Sequence, residues 1–333
     1  EQLREHASQI KRHTITHLAD YLEQFAGQLE NRGVIVHWAR TADDFNRTVL
    51  EILQKHGVKK MVKSKSMLTE ECGMNPYLEQ NGIDVVETDL GERILQLLHQ
   101  KPSHIVMPAI HLKREEVGRM FEEKGISKHI GNYDPTYLTR CARMHLRNQF
   151  MEAGAGMTGC NFGVAESGDI VVCTNEGNAD MSTSMPKLHL VAMGIEKIVP
   201  DYSSLAVFQR LLCRSATGQP TTAYTSHFRQ ARPGAEMHVI LVDNGRSDIL
   251  ADSDHWETLK CIRCGSCMNT CPVYRRSGGY SYTYFIPGPI GVNLGMLRNA
   301  SCYSDNVSAC TLCLSCDNVC PSKVGPGSQI YLW

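Results

Sequence analysis

No apolar run in this chain approaches the roughly 20 residues that a membrane-spanning helix needs. The opening residues, Glu1-Gln2-Leu3-Arg4-Glu5-His6, also lack the apolar core of a secretory signal. Charge of one sign is equally missing: 34 Lys and Arg stand against 35 Asp and Glu, a formal net charge of -1. So balanced a chain has no field to steer it toward nucleic acid or an anionic membrane. At 333 residues it has length for about two domains and can bury a core without cross-links. Its cysteines are then expected for chemistry rather than for stapling. The expected setting is cytoplasmic and reducing, with any position at the inner face of the membrane supplied by partners. The sequons at Asn46 and Asn306 are read as chance matches.

What the chain has in quantity is cysteine, 14 residues in all. Eight of them form two copies of one spacing, Cys261-x2-Cys264-x2-Cys267-x3-Cys271-Pro272 and Cys310-x2-Cys313-x2-Cys316-x3-Cys320-Pro321. Three thiolates so spaced wrap three corners of an iron–sulfur cube, while the fourth cysteine points away and ligates the other cube. This predicts one 4Fe-4S cluster on Cys261, Cys264, Cys267 and Cys320, and a second on Cys310, Cys313, Cys316 and Cys271. Zinc, which takes four ligands in two pairs, leaves the third cysteine of each triplet and the Cys-Pro unexplained. Disulfides suit short secreted chains rather than close triplets in a long one. The other six cysteines, 72, 141, 160, 173, 213 and 302, are scattered singly and read as small buried hydrophobes.

Ahead of the cysteine runs the pattern alternates. Residues 1–32 read as one long amphipathic helix ending near Gly33, on which His13 and His17 lie four apart with no third metal ligand in view. Strands are expected at 34–36, 60–62, 83–86 and 105–107, with helices at 41–53, 69–80, 90–99 and 113–124, the first opened by a Thr41/Asp44 capping box. This alternation predicts βαβ units and a largely parallel sheet. A second run follows: a helix at 135–152, strands at 161–164, 169–173 and 189–193, a helix at 202–213, and strands near 221–226 and 237–243. Ligands of such sheets collect beyond the strands' C-terminal ends. Two candidates for that crevice are Lys63-Ser64-Lys65-Ser66 and Pro108-Ala109-Ile110-His111, since lysines, hydroxyls and free helix N–H groups suit an anion. A solvated basic turn is the competing reading. Gly154-Ala155-Gly156-Met157-Thr158-Gly159 spells GxGxxG, but it follows a helix and leads toward a strand, the wrong context for a dinucleotide site. No NAD or flavin site is evident. The Gly/Pro/Tyr-rich stretch 277–291 between the cysteine runs is expected to wrap the clusters and exclude water.

Several ordered segments resemble one family: Val62-Lys63-Ser64-Lys65-Ser66-Met67, Glu87-Thr88-Asp89-Leu90-Gly91-Glu92, Pro102-Ser103-His104-Ile105-Val106, Thr174-Asn175-Glu176-Gly177-Asn178-Ala179 and Met193-Gly194-Ile195-Glu196-Lys197. Leu241-Val242-Asp243-Asn244-Gly245-Arg246-Ser247 and Cys261-Ile262-Arg263-Cys264-Gly265 complete the set. Together they resemble the iron–sulfur subunit of the lactate-utilisation complex, lactate utilisation protein B, from the first helix to Pro321. The resemblance implies an α/β LUD domain, similar to the sugar-phosphate isomerase and CoA-transferase-like fold, at 33–250. A two-cluster ferredoxin-like module at 251–333 follows it. It also implies partners, a cysteine-rich-domain subunit and a smaller LUD subunit, and oxidation of L-lactate to pyruvate. The chain departs from the family in lacking a C-terminal helical extension, in Ser322-Lys323-Val324-Gly325, and in Gly279-Tyr280-Ser281-Tyr282, where the family more often has a histidine. The first two departures read as a truncated C-terminus.

On this resemblance the expected role is electron relay, with an LUD pocket for substrate, product or partner. Were that pocket chemical, Glu176 would serve as acid or base, with Lys187 and His189 holding a carboxylate or taking the hydroxyl proton. Their bland readings are a turn cap, a solvated lysine and a buried strand histidine. The alternative function is acyl or CoA transfer with Glu176 as nucleophile, permitted by the fold but leaving the clusters idle.

Overall fold

The computed structural model describes residues 1–333. Its strands are β1 (Ile35–Ala39), β2 (Lys60–Lys63), β3 (Asp84–Glu87), β4 (Ala155–Thr158), β5 (Phe162–Val164), β6 (Asp169–Thr174), β7 (Leu188–Gly194), β8 (Ile198–Val199), β9 (Tyr224–Phe228) and β10 (Glu236–Val242). Six of them form a parallel sheet in the order β1-β10-β7-β4-β2-β3. The other four make a small mixed sheet, β8-β5-β6-β9. A parallel sheet needs cover on both faces, and the apolar runs show it. In β7, Leu188, Leu190 and Ala192 point into one core cluster, and Val191 and Met193 into another.

The helices that supply the cover start where the sequence provides caps. Those used below are α1 (Gln2–Thr16), α2 (Leu18–Glu30), α3 (Ala42–Lys55), α4 (Met67–Glu71), α5 (Met74–Gln80), α6 (Leu90–Leu98), α7 (Arg114–Glu123), α8 (Pro135–Glu152), α9 (Asn178–Ser184) and α10 (Tyr202–Thr217). The capping box of α3 is formed: Asp44 N donates to Thr41 Oγ1, and Thr41 N to Asp44 Oδ2, both at 3.1 Å. Asp89, Asp134 and Asp201 cap α6, α8 and α10 without the reciprocal bond, each side chain accepting from the backbone N–H three residues on. Each cap contributes about 1 kcal/mol.

Five expectations need correction. The long N-terminal helix breaks at His17. Thr16 Oγ1 donates back to Arg12 O and His13 O, a bond type that bends helices. The break lets α1 pack Ala7 and Ile10 on the small sheet while α2 packs Leu22, Phe25 and Leu29 on the large one. The helix expected at 69–80 is two, separated by Gly73 at φ 63°. No strand forms at 105–107, because His104 Nδ1 accepts from both Val106 N and Met107 N at 3.0 Å, taking up donors that a ladder would use. The stretch expected to loop as far as residue 291 turns helical earlier, at Gly288–Tyr303. Finally, the GxGxxG letters are themselves mostly β4, in the interior of the parallel sheet. A Cβ on Gly156 would lie 1.6 Å from Ser182 O, so this glycine lets α9 approach the strand.

Candidate functional site

Beyond the C-terminal ends of β2, β4, β6 and β7 lies a cavity of about 450 Å³, within the range of small-molecule sites. Of the expected anion ligands, Ser64, Lys65 and Ser66 are on its wall. Lys63 is not. Successive residues of a strand face opposite ways, and Lys63 turns to the buried side, where Nζ meets Glu87 Oε1 at 2.7 Å and Thr69 Oγ1 at 3.0 Å. Lys65 Nζ donates to Val106 O at 3.1 Å. Pro108, Ala109, Ile110 and His111 also lie off the wall, which that loop reaches only through Ile105, Val106 and Met107. His111 is tied instead to Ser103 Oγ at 2.7 Å and Tyr280 OH at 3.0 Å.

The proposed trio of Glu176, Lys187 and His189 is not brought together. Glu176 is on the cavity wall; its Oε2 accepts from Leu90 N at 3.2 Å. Burial, and then the neighbouring Asp89, push its carboxyl up to about 7. Lys187 is exposed just ahead of β7, and His189 is that strand's second residue. Both therefore sit toward the opposite end of the sheet from the cavity. His189 Nε2 pairs with Thr158 Oγ1 at 3.0 Å, and burial pushes its pKa down to about 3, leaving a neutral core imidazole.

Residues outside that trio charge the cavity. Glu71 grips Arg246 with both oxygens, at 2.9 Å each, and Arg246 Nε donates to Glu196 Oε2 at 2.5 Å. Burial alone would raise the Glu196 carboxyl, but Arg246, Lys197 and Arg263 hold it at about 2. Lys197 and Arg263 complete this end of the wall. All but Glu71 fall in sequence segments conspicuous for other reasons: Glu196-Lys197, Arg246, and Arg263 between the first two cysteines. Sequence spacing carries no signal that these segments meet.

The cysteine segment shows a repeat in three dimensions. In the first copy Arg263 (φ 60°) and Gly265 (φ 80°) are left-handed, and in the second Leu312 (φ 52°) and Leu314 (φ 56°) match them. The turns aim main-chain N–H groups at sulfur: Arg263 N to Cys261 Sγ and Leu312 N to Cys310 Sγ, each 3.4 Å, and Val324 N to Cys320 Sγ, 3.2 Å. Cys261, Cys264, Cys267 and Cys320 line one small cavity, walled by Ile105, Ile262, Ile290 and Val324. Cys310 is electrostatically coupled to Cys271 and Cys313, and Cys316 to Cys310 and Cys271. Cys320 thus lies with the first triplet and Cys271 near the second, the grouping that the expected cross-ligation requires. The one set of His, Cys, Asp or Glu donor atoms lying within 4.8 Å of one another is His56, Glu236 and His238. Tetrahedral zinc would hold sulfurs about 3.8 Å apart, so the wider quartets suit a cube. Burial pushes the Cys264 thiol up to about 12, so a thiolate there needs a cationic partner, which iron supplies.

A family description, the LUD domain, matches residues 22–249, and a second, the 4Fe-4S dicluster domain, matches residues 257–324. Lactate utilization protein B of Shouchella clausii is 44% identical over 335 residues, covering 97% of this chain and 69% of that protein. Lactate utilization protein B of Geobacillus thermodenitrificans is 45% identical, with the same coverage. The uncharacterized electron transport protein YkgF of Escherichia coli is 43% identical over 339 residues, covering 100% of this chain and 70% of that protein. This chain belongs to the lactate utilization protein B family.

The cofactors of this family member are two 4Fe-4S clusters, and the quartets differ in where they would hold them. In the first quartet Cys264, Cys267 and Cys320 are buried and Cys261 half-buried; in the second Cys316 is buried, Cys271 and Cys310 are half-buried and Cys313 is exposed. No helix of the chain is long and apolar enough to cross a membrane. The six remaining cysteines of the LUD and cluster regions are not uniformly core. Cys160, Cys173 and Cys213 line the large cavity, and Cys302 is exposed. Burial pushes Cys160 and Cys173 up to about 12, so they are neutral thiols.

Proposed function

We propose that this chain is the electron-transfer subunit of a multi-subunit complex that oxidises L-lactate to pyruvate. The observation that carries the reading is the seating of the inner cysteine quartet against the LUD cavity, while the outer quartet reaches the surface at Cys313. Ile105 lines both cavities. Lactate oxidation releases two electrons and two protons, and bound 4Fe-4S clusters supply one-electron acceptors. The chain's own residues would position those groups: Cys261, Cys264, Cys267 and Cys320 behind the cavity wall, and Cys271, Cys310 and Cys316 beneath Cys313, the member at the surface a partner can reach. Glu176, titrating near 7, suits proton exchange in the cavity. Ser64, Lys65 and Ser66 offer donors to an anion. A cysteine-rich-domain subunit and a smaller LUD subunit are the partners in this proposal, and the units are 1–32, 33–250 and 251–333.

Anaerobic EPR tests it. Dithionite should develop signals of two reduced 4Fe-4S clusters in the purified chain, and L-lactate should develop them only when the partner subunits are added. A chain without reducible clusters, or a complete complex that lactate leaves oxidised, rules the reading out. Acyl transfer with Glu176 as nucleophile has less support, because a nucleophilic carboxylate works ionised and burial favours the neutral form here.

A further inference from the structure

The end of the large cavity nearest the inner quartet carries three cations, and one is already matched. Arg246 holds Glu71 in a bidentate pair and Glu196 through Nε. Lys197 has only Glu196 Oε1, 4.0 Å from Nζ and beyond hydrogen-bond reach, although its side chain is just 15% exposed. Arg263 has less: its Nη1 is buried with no hydrogen-bond partner. Buried donors are rarely left unpaired, and a bare guanidinium nitrogen in a cavity marks where a ligand atom belongs.

The orientation of Arg263 excludes the cluster as that ligand. Its backbone N–H faces Cys261 Sγ. The side chain lines the large cavity and is absent from the wall of the cysteine cavity. The left-handed turn at Arg263, φ 60°, points main chain and side chain into different sites. Electrostatically the side chain acts on Glu196 and Lys197. Two neighbouring cations thus repel each other in a poorly solvated place, and an anion between them would remove that repulsion.

Charge balance gives the sign of the ligand. On the wall, Arg246, Lys197 and Arg263 outnumber Glu71 and Glu196, and the buried Lys11 beside Glu196 and Lys197 adds a further positive charge, so this end takes an anion. The guanidinium fork matches a planar carboxylate, and an ammonium adds a point charge beside it. We propose that Lys197 and Arg263 form a carboxylate site for a 2-hydroxy or 2-oxo monocarboxylic acid, separated from the inner cysteine quartet by little more than Ile105. The choice of acid rests on the lactate reading above; the orphaned donor and the charge balance stand without it.

Calorimetric titration of the anaerobic, cluster-loaded chain tests the site, with L-lactate and pyruvate as ligands and lactamide and inorganic phosphate as controls. The acids should bind, and both controls should bind at least about tenfold more weakly, the loss expected when a charge-assisted bond is removed. Lys197→Met and Arg263→Gln should each weaken acid binding at least about tenfold, with Arg263→Lys recovering part of it. Lys197 makes no hydrogen bond to any of the cluster cysteines, and iron content and cluster absorbance of that variant, expected unchanged, separate loss of the site from loss of the cluster. Unchanged acid binding in iron-replete Lys197→Met, or phosphate binding tighter than the acids, overturns the proposal. If neither acid binds the chain while lactate still reduces the clusters of the full complex, the site is wrong and the relay stands. If the acids bind through Lys197 but lactate reduces nothing, the site stands and the relay is wrong.

Discussion

Lys63 and Lys65 are two residues apart, yet one is fully buried against Glu87 and the other faces the cavity. Removing one member of a buried pair costs about 3–5 kcal/mol, because the other charge is left uncompensated. Lys63→Met should therefore destabilise the chain by roughly that amount, and Lys63→Met with Glu87→Gln should recover much of it, as read from denaturant midpoints. Glu176 makes a pH prediction. Its folded pKa is raised from 4.5 to about 7, so its contribution to stability is full below 4.5 and is lost as pH rises through 7. Glu176→Gln should gain thermal stability relative to the native chain between pH 5 and about 8, the window in which the buried native carboxyl is forced to ionise. A constant difference across that range would contradict the assignment. The cross-ligation predicts that Cys320→Ser removes the EPR signal of the inner cluster, whereas Cys271→Ser removes that of the outer one.

Elements meet through positions that look unremarkable in the chain. Gly156 lets α9 lie against β4, and Gly279 lets its loop touch Ser103, whose carbonyl would be 2.0 Å from an added Cβ. Gly156→Ala forces backbone against backbone and should cost about 3 kcal/mol or more, measurable as a fall in the unfolding midpoint. The Ser103–Met107 turn binds the two regions together. Tyr274 OH donates to Ser103 O at 2.7 Å, His104 Nε2 pairs with Asn269 Oδ1 at 3.0 Å, and Ile105 enters the core of the cysteine segment. That is why a segment with strand-like letters is not a strand: its side chains are used in tertiary contacts.

Across the whole molecule, α1 reaches over to the far end of the chain. Arg4 donates to Cys320 O through Nε at 3.1 Å and Nη2 at 2.8 Å, and also to Asn318 O. Lys260 Nζ donates to Ser8 Oγ at 3.0 Å. The first helix thus braces the loop that carries the fourth ligand of the inner quartet. Arg4→Ala should quicken loss of the inner cluster in air, followed by visible absorbance and iron release, while leaving the outer cluster's decay unchanged. Equal acceleration of both would mean that α1 acts on general stability instead.

The sequence alone made the two cysteine runs and their two clusters legible, because the ligand spacing is local and short loops leave few ways to wrap a cube. It also determined the alternating α/β pattern and its caps, which depend on neighbouring residues. The fold was needed to show that Lys63, at the cavity end of β2, turns to the buried side, and that Lys187 and His189 belong to the other end of β7. Folding brings Lys197, Arg246 and Arg263 together from three separate segments. A periodicity of two fixes the faces of a strand but says nothing about which end a neighbour will cover. The charged end of the cavity exists only where distant loops converge.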